Sequence, residues 1–324
     1  MEKVTLCEER VISIIETSTP VLIPSFSSKG IKQFDKTFYS LKDYLSEVTL
    51  FSAYDLYYKL VDKELIYETD MLFIDSGGYE ASIEPDLSEI YGFGHNPNDW
   101  KEELYLNQID TLEELSNIVL INYDYPKIPF SEQVNRAKSI FTKYPSFASD
   151  FLIKPDTIFG KFDMEKLLED LQLCSNFSVI GFTEKELGLS VFERCRNIYK
   201  IRKRLNQIGL NKPIHIFGCL DPLNIITYFL CGADIFDGLS WLRYGFQSNR
   251  PIYINSYAIS SGKWMYTNDE VRIITYLENI KILNALKHKM KLYIKEKDLS
   301  VFELDQQTET EIFNLMEIIK EEGF

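Results

Sequence analysis

The chain has few cysteines, no long apolar run and fewer basic than acidic side chains. Each shortage narrows what it can do. Its five cysteines, Cys7, Cys174, Cys195, Cys219 and Cys231, are scattered without a Cys-x-x-Cys pair, so neither a disulfide framework nor a thiolate zinc cluster is expected, and reduced, partly buried thiols are the simpler reading. No apolar stretch approaches the ~20 residues that cross a bilayer, and the opening "MEKVTLCEER" is charged where a signal peptide would be apolar. A cytoplasmic protein with no membrane attachment is the expectation. Lys and Arg number 35 against 49 Asp and Glu, a formal net charge of −14. That argues against nonspecific coating of nucleic acid, which needs many cations to displace counterions, but it leaves room for a local basic groove. "RCRNIYKIRKR" (194–204) and "KILNALKHKMKLYIKEK" (281–297) are the two stretches able to line one; solvated faces of amphipathic helices are the commoner meaning of such runs.

What is present is a series of short β-branched or aromatic runs ending in polar residues or glycine, with helical patterns between most of them. They are "VLIPSF" (21–26), "VTLFSAY" (48–54), "MLFIDSGG" (71–78), "IVLINYDYP" (118–126), "DFLIKPDT" (150–157), "SVIGFT" (178–183), "PIHIFGC" (213–219) and "ADIFDGL" (233–239). Eight such units predict an α/β fold, a (β/α)8 TIM barrel, with an open doubly wound sheet as the alternative. Between the strands, "SEQVNRAKSIFTKY" opens on a Ser N-cap, "DMEKLLEDLQL" starts on Asp, and "LSVFERCRNIYKIRKRLNQI" repeats apolar residues at helical spacing. The barrel core is expected over 18–262, preceded by an N-terminal hairpin or lid and followed by C-terminal helices over 263–324. No linker or repeat divides the chain, so 1–324 reads as a single domain. The long excursion "ASIEPDLSEIYGFGHNPNDWKEEL" reads as a loop folded over the site.

Barrel enzymes place their chemistry at the C-terminal strand ends, which here carry Ser25, Asp75 with Ser76, Asp124, Lys154, Thr183 and Asp237. Singly, each is an ordinary strand-to-loop residue; three aspartates on one rim are harder to explain that way. In "GADIFDGLSW" (232–241), Asp237 shares parity with Ala233 and Ile235 and points into the barrel mouth, whereas Asp234 lies on the other face, where a salt bridge is expected. In "DSGGYE" (75–80), two glycines let the backbone approach a ligand closely while Tyr79 offers a flat face for stacking.

"DSGGYE" and "GADIFDGLSWLR", with "STPVLIPSF", "YDYPKIPFSEQVNRAKSIF" and "PIHIFGCLDPLNIITYFLCGADIFD" in the same order, resemble the tRNA-guanine transglycosylase superfamily over roughly residues 18–245. The resemblance implies a barrel enzyme that exchanges guanine in a polynucleotide for a 7-deazaguanine. Residue by residue, it implies Asp237 as the nucleophile at C1′ and Asp75 as general acid and base. It also implies Asp124 as acceptor for the guanine-like edge, Tyr79 and Phe217 as stacking partners, Ser76, Gly77 and Gly181 as further base contacts, and Arg243 as a nucleic-acid contact. Several positions depart from the family. Its Cys-x-Cys-x-x-Cys…His zinc site is missing, with His288 far from any cysteine; Glu80 replaces a glutamine, "IKP" replaces "VQG", "GFTEKELG" replaces "GGLAVGE", and Trp241 and Leu242 replace the Pro-Thr of FD-x-x-x-P-T-R. No metal and no cofactor are expected. The divergent, zinc-less branch that acts on DNA or accompanies antiviral defence genes is the nearer match. The expected partners are DNA or tRNA and a 7-deazaguanine base, with a protein partner or a homodimer left open. The alternatives are a decayed barrel serving as a nucleobase-binding or scaffolding subunit, and an unrelated glycosidase using two carboxylates.

Overall fold

The computed structural model describes residues 6–29, 34–83, 95–157 and 160–322. A short hairpin, β1 (Val11–Ile12) and β2 (Thr17–Ser18), precedes eight strands: β3 (Val21–Pro24), β4 (Val48–Ser52), β5 (Met71–Asp75), β6 (Ile118–Ile121), β7 (Ala148–Ile153), β8 (Val179–Thr183), β9 (Ile214–Phe217) and β10 (Ile235–Gly238). Each overlaps one of the eight apolar runs. All eight are parallel, in the order β3-β10-β9-β8-β7-β6-β5-β4. A bridge between Ser25 and Leu50, with the Phe26 amide donating to the Leu50 carbonyl at 3.1 Å, brings the first strand back to the second. The result is an α/β barrel of the (β/α)8 type, nearly closed, with helices on its outside.

Residue parity decides what faces where. Val21, Ile23, Val48, Leu50, Met71, Phe73, Val119, Ile121, Ala148, Leu152, Val179, Phe217 and Ile235 form one cluster inside the barrel. Their neighbours of opposite parity, among them Leu22, Phe51, Leu72, Ile74, Phe151, Ile180, Phe182, Ile214, Ile216 and Phe236, pack outward against the helices. Strands buried on both faces are the signature of a helix-covered parallel sheet.

The hairpin is a plug rather than a lid. Fully buried Ile12 and partly buried Ile15 join the interior cluster beside Val21, Val48, Met71 and Ala148, each the first residue of its strand, so the hairpin stoppers the N-terminal end, opposite the mouth. Three interstrand helices begin near where the sequence placed them. Asp163 caps Met164–Asp170 by accepting from the Lys166 amide at 3.3 Å, and Ser190 and Glu193 form a capping box on Val191–Gln207. Ser131 caps nothing: the helix starts one residue earlier, at Phe130, with Pro129 in the cap position. Pro129 fixes the entry without any side-chain hydrogen bond.

Beyond β10 the chain forms a second hairpin, β11 (Tyr244–Gln247) and β12 (Arg250–Tyr253), a 29-residue helix Asn268–Glu296 and a last helix Gln306–Glu322. Asn279 on the long helix donates to the carbonyls of Trp241 and Tyr244, both at 2.7 Å, and accepts from the Phe246 amide at 2.8 Å. Trp241, fully buried, donates through Nε1 to the Ser25 carbonyl at 3.2 Å. The two basic stretches resolve mainly into structural pairings. Arg202 is buried, Lys287 pairs with Glu47, Lys289 with Glu303, and Lys297 donates to the Cys7 carbonyl. Among the described residues no helix is long and apolar enough to cross a membrane.

Asp234 behaves as its parity predicted. Its Oδ1 accepts from Arg10 Nη1 at 2.7 Å, and its Oδ2 accepts from the Ile214 amide at 2.8 Å and from Arg202 Nη2. One buried carboxylate thus joins the N-terminal segment, the helix Val191–Gln207 and β9. Removing one member of a buried, hydrogen-bonded ion cluster typically costs about 3–5 kcal/mol. Asp234→Ala is expected to lower unfolding free energy by that order in urea titrations; a loss under ~1 kcal/mol would mean that Arg10 and Arg202 find other partners.

Candidate functional site

The inward-facing residues change character on approaching the mouth. On β3 Val21 and Ile23 give way to Ser25; on β5 Met71 and Phe73 give way to Asp75; on β10 Ile235 gives way to Asp237. On β7 and β9 the change comes one layer deeper, with Asp150 between Ala148 and Leu152, and His215 directly below Phe217.

Asp237, 6% exposed, is surrounded by donors. Ser25 Oγ donates to its Oδ2 at 2.8 Å, and the Gly218 amide donates to Oδ1 at 3.1 Å. His215 Nε2 stands 3.3 Å from Oδ1, within ion-pair range but not aligned as a hydrogen bond. The other imidazole nitrogen, Nδ1, lies 2.6 Å from Asp150 Oδ2, and both side chains are fully buried. Burial alone would push the imidazole down, but Asp150 and Asp237 outweigh it and hold it up at about 9. Burial also pushes Asp150 up, and His215 draws it back. We place the proton of this pair on His215, because carboxylates flank both nitrogens.

Asp75 has the opposite surroundings. It accepts from the Gly77 amide at 3.2 Å, and burial, reinforced by the charges of Asp124 and Asp237, pushes it up to about 7. The turn after it needs glycine: Gly77 has φ +85°, and a Cβ there would lie 2.6 Å from the Tyr54 Cβ. A Cβ on Gly78 would meet Asp124 Oδ2 at 2.7 Å. Ser76 Oγ donates to Asp124 Oδ1 at 2.7 Å, and Trp100 Nε1 donates to the Ser76 carbonyl at 2.9 Å. Of the long excursion, 84–94 lie outside the described residues; the part from 95 onward does return to the DSGG turn through Trp100 and through Asn98, whose amide donates to Tyr54 Oη at 2.7 Å.

Asp124 also takes Lys154 Nζ at 3.4 Å, and Lys154 is shared with Glu186 at 3.1 Å and Thr183 Oγ1 at 3.0 Å. Burial disfavours this ammonium, but Asp124 and Glu186 more than offset it and keep it charged. Gly181, on the inward parity of β8, is bare for a reason: a Cβ would sit 2.5 Å from the Phe217 ring and 3.0 Å from Asp150 Oδ1. Phe217 lies flat on His215, with centroids 3.8 Å apart at 29°. Tyr79 carries Lys29 Nζ 4.5 Å over its ring, and its hydroxyl accepts from Arg243 at 3.0 Å.

Of the residues singled out in the sequence, Ser76, Gly77 and Asp124 are thus assembled around Asp75. Phe217 and Gly181 share the wall that holds Asp237. Tyr79 and Arg243 touch each other at the rim. Asp150 and His215 were missed. Their only signal was a single polar residue among the inward-facing, otherwise apolar positions of each strand.

Glu80 is not the exposed anion that its letter implies. It is 2% exposed, its Oε1 accepts from Ser27, and Oε2 has no hydrogen-bond partner. Burial, with Asp55 and Asp75 nearby, pushes it well above the usual carboxylate range. That favours the neutral acid. Asp55 is likewise pushed up by burial, to about 6. Among the described residues no group of three or more His, Cys, Asp or Glu side chains is placed to hold a metal ion.

No protein-family model matches the chain, and no curated protein matches it.

Buried acids with raised folded-state pKa values stabilise the fold only while protonated. That contribution is complete below the unfolded values near 4 and is lost as pH rises through the folded ones. For Asp75 the window runs from about 4 to about 7. Asp75→Asn is therefore expected to be more stable than the parent at pH 8, by at most roughly 4 kcal/mol, with the gap closing toward pH 4. Glu80→Gln should behave in the same direction. Thermal melts across pH check both; a gap that stays constant with pH would contradict the assignment.

Proposed function

We propose that the chain is a nucleobase transglycosylase that exchanges guanine in a polynucleotide for a 7-deazaguanine through a covalent Asp237 glycosyl intermediate. The supporting observation is the pair of inward-facing acids at one barrel mouth with contrasting surroundings. Asp237 is hydrogen-bonded by Ser25 and Gly218 and flanked by a cationic imidazole, while Asp75, half-buried at its strand end beside other carboxylates, is raised to about 7. Two carboxyl groups whose surroundings set them apart are what a reaction needs when one must act as an anion and the other must carry a proton. The ordered motifs around DSGG and FDGLSWLR supply the choice of substrate.

In this reading Asp237 attacks C1′ as the C1′–N9 bond breaks. The bond's electron pair leaves with guanine, which takes the proton of Asp75. The incoming base then gives its N9 proton to Asp75 and attacks C1′, and the C1′–O bond to Asp237 breaks. Asp124, already held by Ser76 and Lys154, orients the amidine edge of the base. Tyr79 and Phe217 cover its faces. Arg243 reaches the strand from the rim, and its contact with Tyr79 ties strand binding to base stacking. The polymer is DNA or tRNA; the missing zinc motif and Trp241 favour DNA.

A second reading, a nucleobase-binding or scaffolding subunit, draws on the engagement of Asp124 by Ser76 and Lys154 and on the Phe217 ring resting on His215. Adduct trapping separates the two. With guanine-containing DNA and tRNA offered separately, denaturing gels are expected to show a protein–nucleic acid adduct with one of them. It should disappear in Asp237→Asn, and form about 10²–10⁴-fold more slowly in Asp75→Asn. An adduct that survives Asp237→Asn would remove Asp237 from the nucleophile role; base binding with no adduct on either polymer would favour the binding subunit.

A further inference from the structure

Neither catalytic step above uses His215 or Asp150, yet they are the most deeply buried charged pair near the mouth. A fully buried imidazole usually has a simpler part to play, as a packed ring with one satisfied nitrogen. Here both nitrogens face carboxylates, Asp150 Oδ2 at 2.6 Å and Asp237 Oδ1 at 3.3 Å. The ring is clamped between Phe217, at 3.8 Å, and the edge of Phe73, at 5.7 Å, so it cannot swing to another partner without repacking the interior. Asp150 in turn has nowhere else to go: its Oδ1 is buried without a hydrogen-bond partner and faces bare Gly181.

We propose that Asp150 and His215 form a buried relay that positions Asp237, holding Oδ1 in place and directing attack through Oδ2. This rests on the transglycosylase reading. The two oxygens of Asp237 are not equivalent. Oδ1 faces the Gly218 amide and the cationic imidazole, whereas Oδ2 has one neutral donor, the Ser25 hydroxyl, which can rotate away. When Oδ2 bonds to C1′, Oδ1 becomes the ester carbonyl, already facing an N–H and a positive charge. When the incoming base displaces the ester, the electron pair of the C1′–O bond returns to a carboxylate whose other oxygen is stabilised in advance. Fixed donors at an oxygen that gains charge speed the step that produces it. His215 therefore makes Asp237 a better leaving group, and its effect is largest on breakdown of the adduct.

The titratable groups facing the imidazole are Asp150 on β7 and Asp237 on β10. Asp75 on β5 and Cys219 after β9 interact with Asp237 in turn; Phe73, Phe217 and Gly181 bring no charge. Single-turnover measurements of adduct formation and decay across pH test the relay in His215→Gln and Asp150→Asn. In both, the adduct is expected to accumulate because its decay slows about 10- to 100-fold. Decay rates equal to the parent's would overturn the proposal. A substrate-free readout keeps its failure distinct from that of the transglycosylase reading: nitrogen NMR of the His215 ring in the parent and in Asp237→Asn. The relay requires the ring to lose its proton at lower pH in the variant. An unmoved titration would overturn the relay whether or not any polynucleotide forms an adduct; an absent adduct with a shifted titration would overturn the proposed role in attack and leave only the charge coupling.

Discussion

The contact between His215 and its two flanking carboxylates is the constraint around which the mouth of this barrel is built. Charge in a poorly hydrated interior persists only if it is paired and hydrogen-bonded. Asp150 and Asp237 enter the barrel interior on separate strands, and one imidazole between them compensates both. Among the described residues Asp75 pairs with no cation, and burial, with Asp124 and Asp237 nearby, drives it toward the neutral acid. Glu80 and Asp55, behind the DSGG turn, are also pushed up by burial. The single positive charge thus stands beside Asp150 and Asp237, and Asp75 is left to burial and to its neighbouring carboxylates.

Ser25 links that chemistry to the fold. It provides the bridge that brings the first barrel strand back to the second, donates to Asp237 from one strand away, and offers its carbonyl to Trp241. Trp241 is in turn held by Asn279 on the long C-terminal helix. Closing the barrel, fixing the acid and docking the C-terminal helices therefore share one short segment. The Trp241 indole fills the space beside Phe26 and Tyr276.

The eight strands were legible because each is a short apolar run that stops at a polar residue or glycine, and a helix-covered parallel sheet demands that pattern. Parity separated Asp234 from Asp237, since alternation along a strand is fixed by backbone geometry. Other features had no local signal. Glu80 reads as a negative charge until its burial is known. His215 and Asp150 are 65 residues apart, and only the barrel brings them to hydrogen-bonding distance. The N-terminal hairpin read equally well as a lid, because a sequence does not say which end of a barrel a segment will cover. Ser131 looked like a helix cap because Ser commonly is one, but Pro129 two residues earlier had already set the chain's entry.

The most direct test is base exchange by the purified protein. DNA and tRNA would be incubated separately with a free 7-deazaguanine, digested to nucleosides and analysed by mass spectrometry, with Asp237→Asn in parallel. A 7-deazaguanosine or its deoxy form should appear in one polymer with the parent protein, matched by released guanine, and be absent with the variant. No exchange into either polymer, by a protein that still binds the free base, would contradict the transglycosylase assignment.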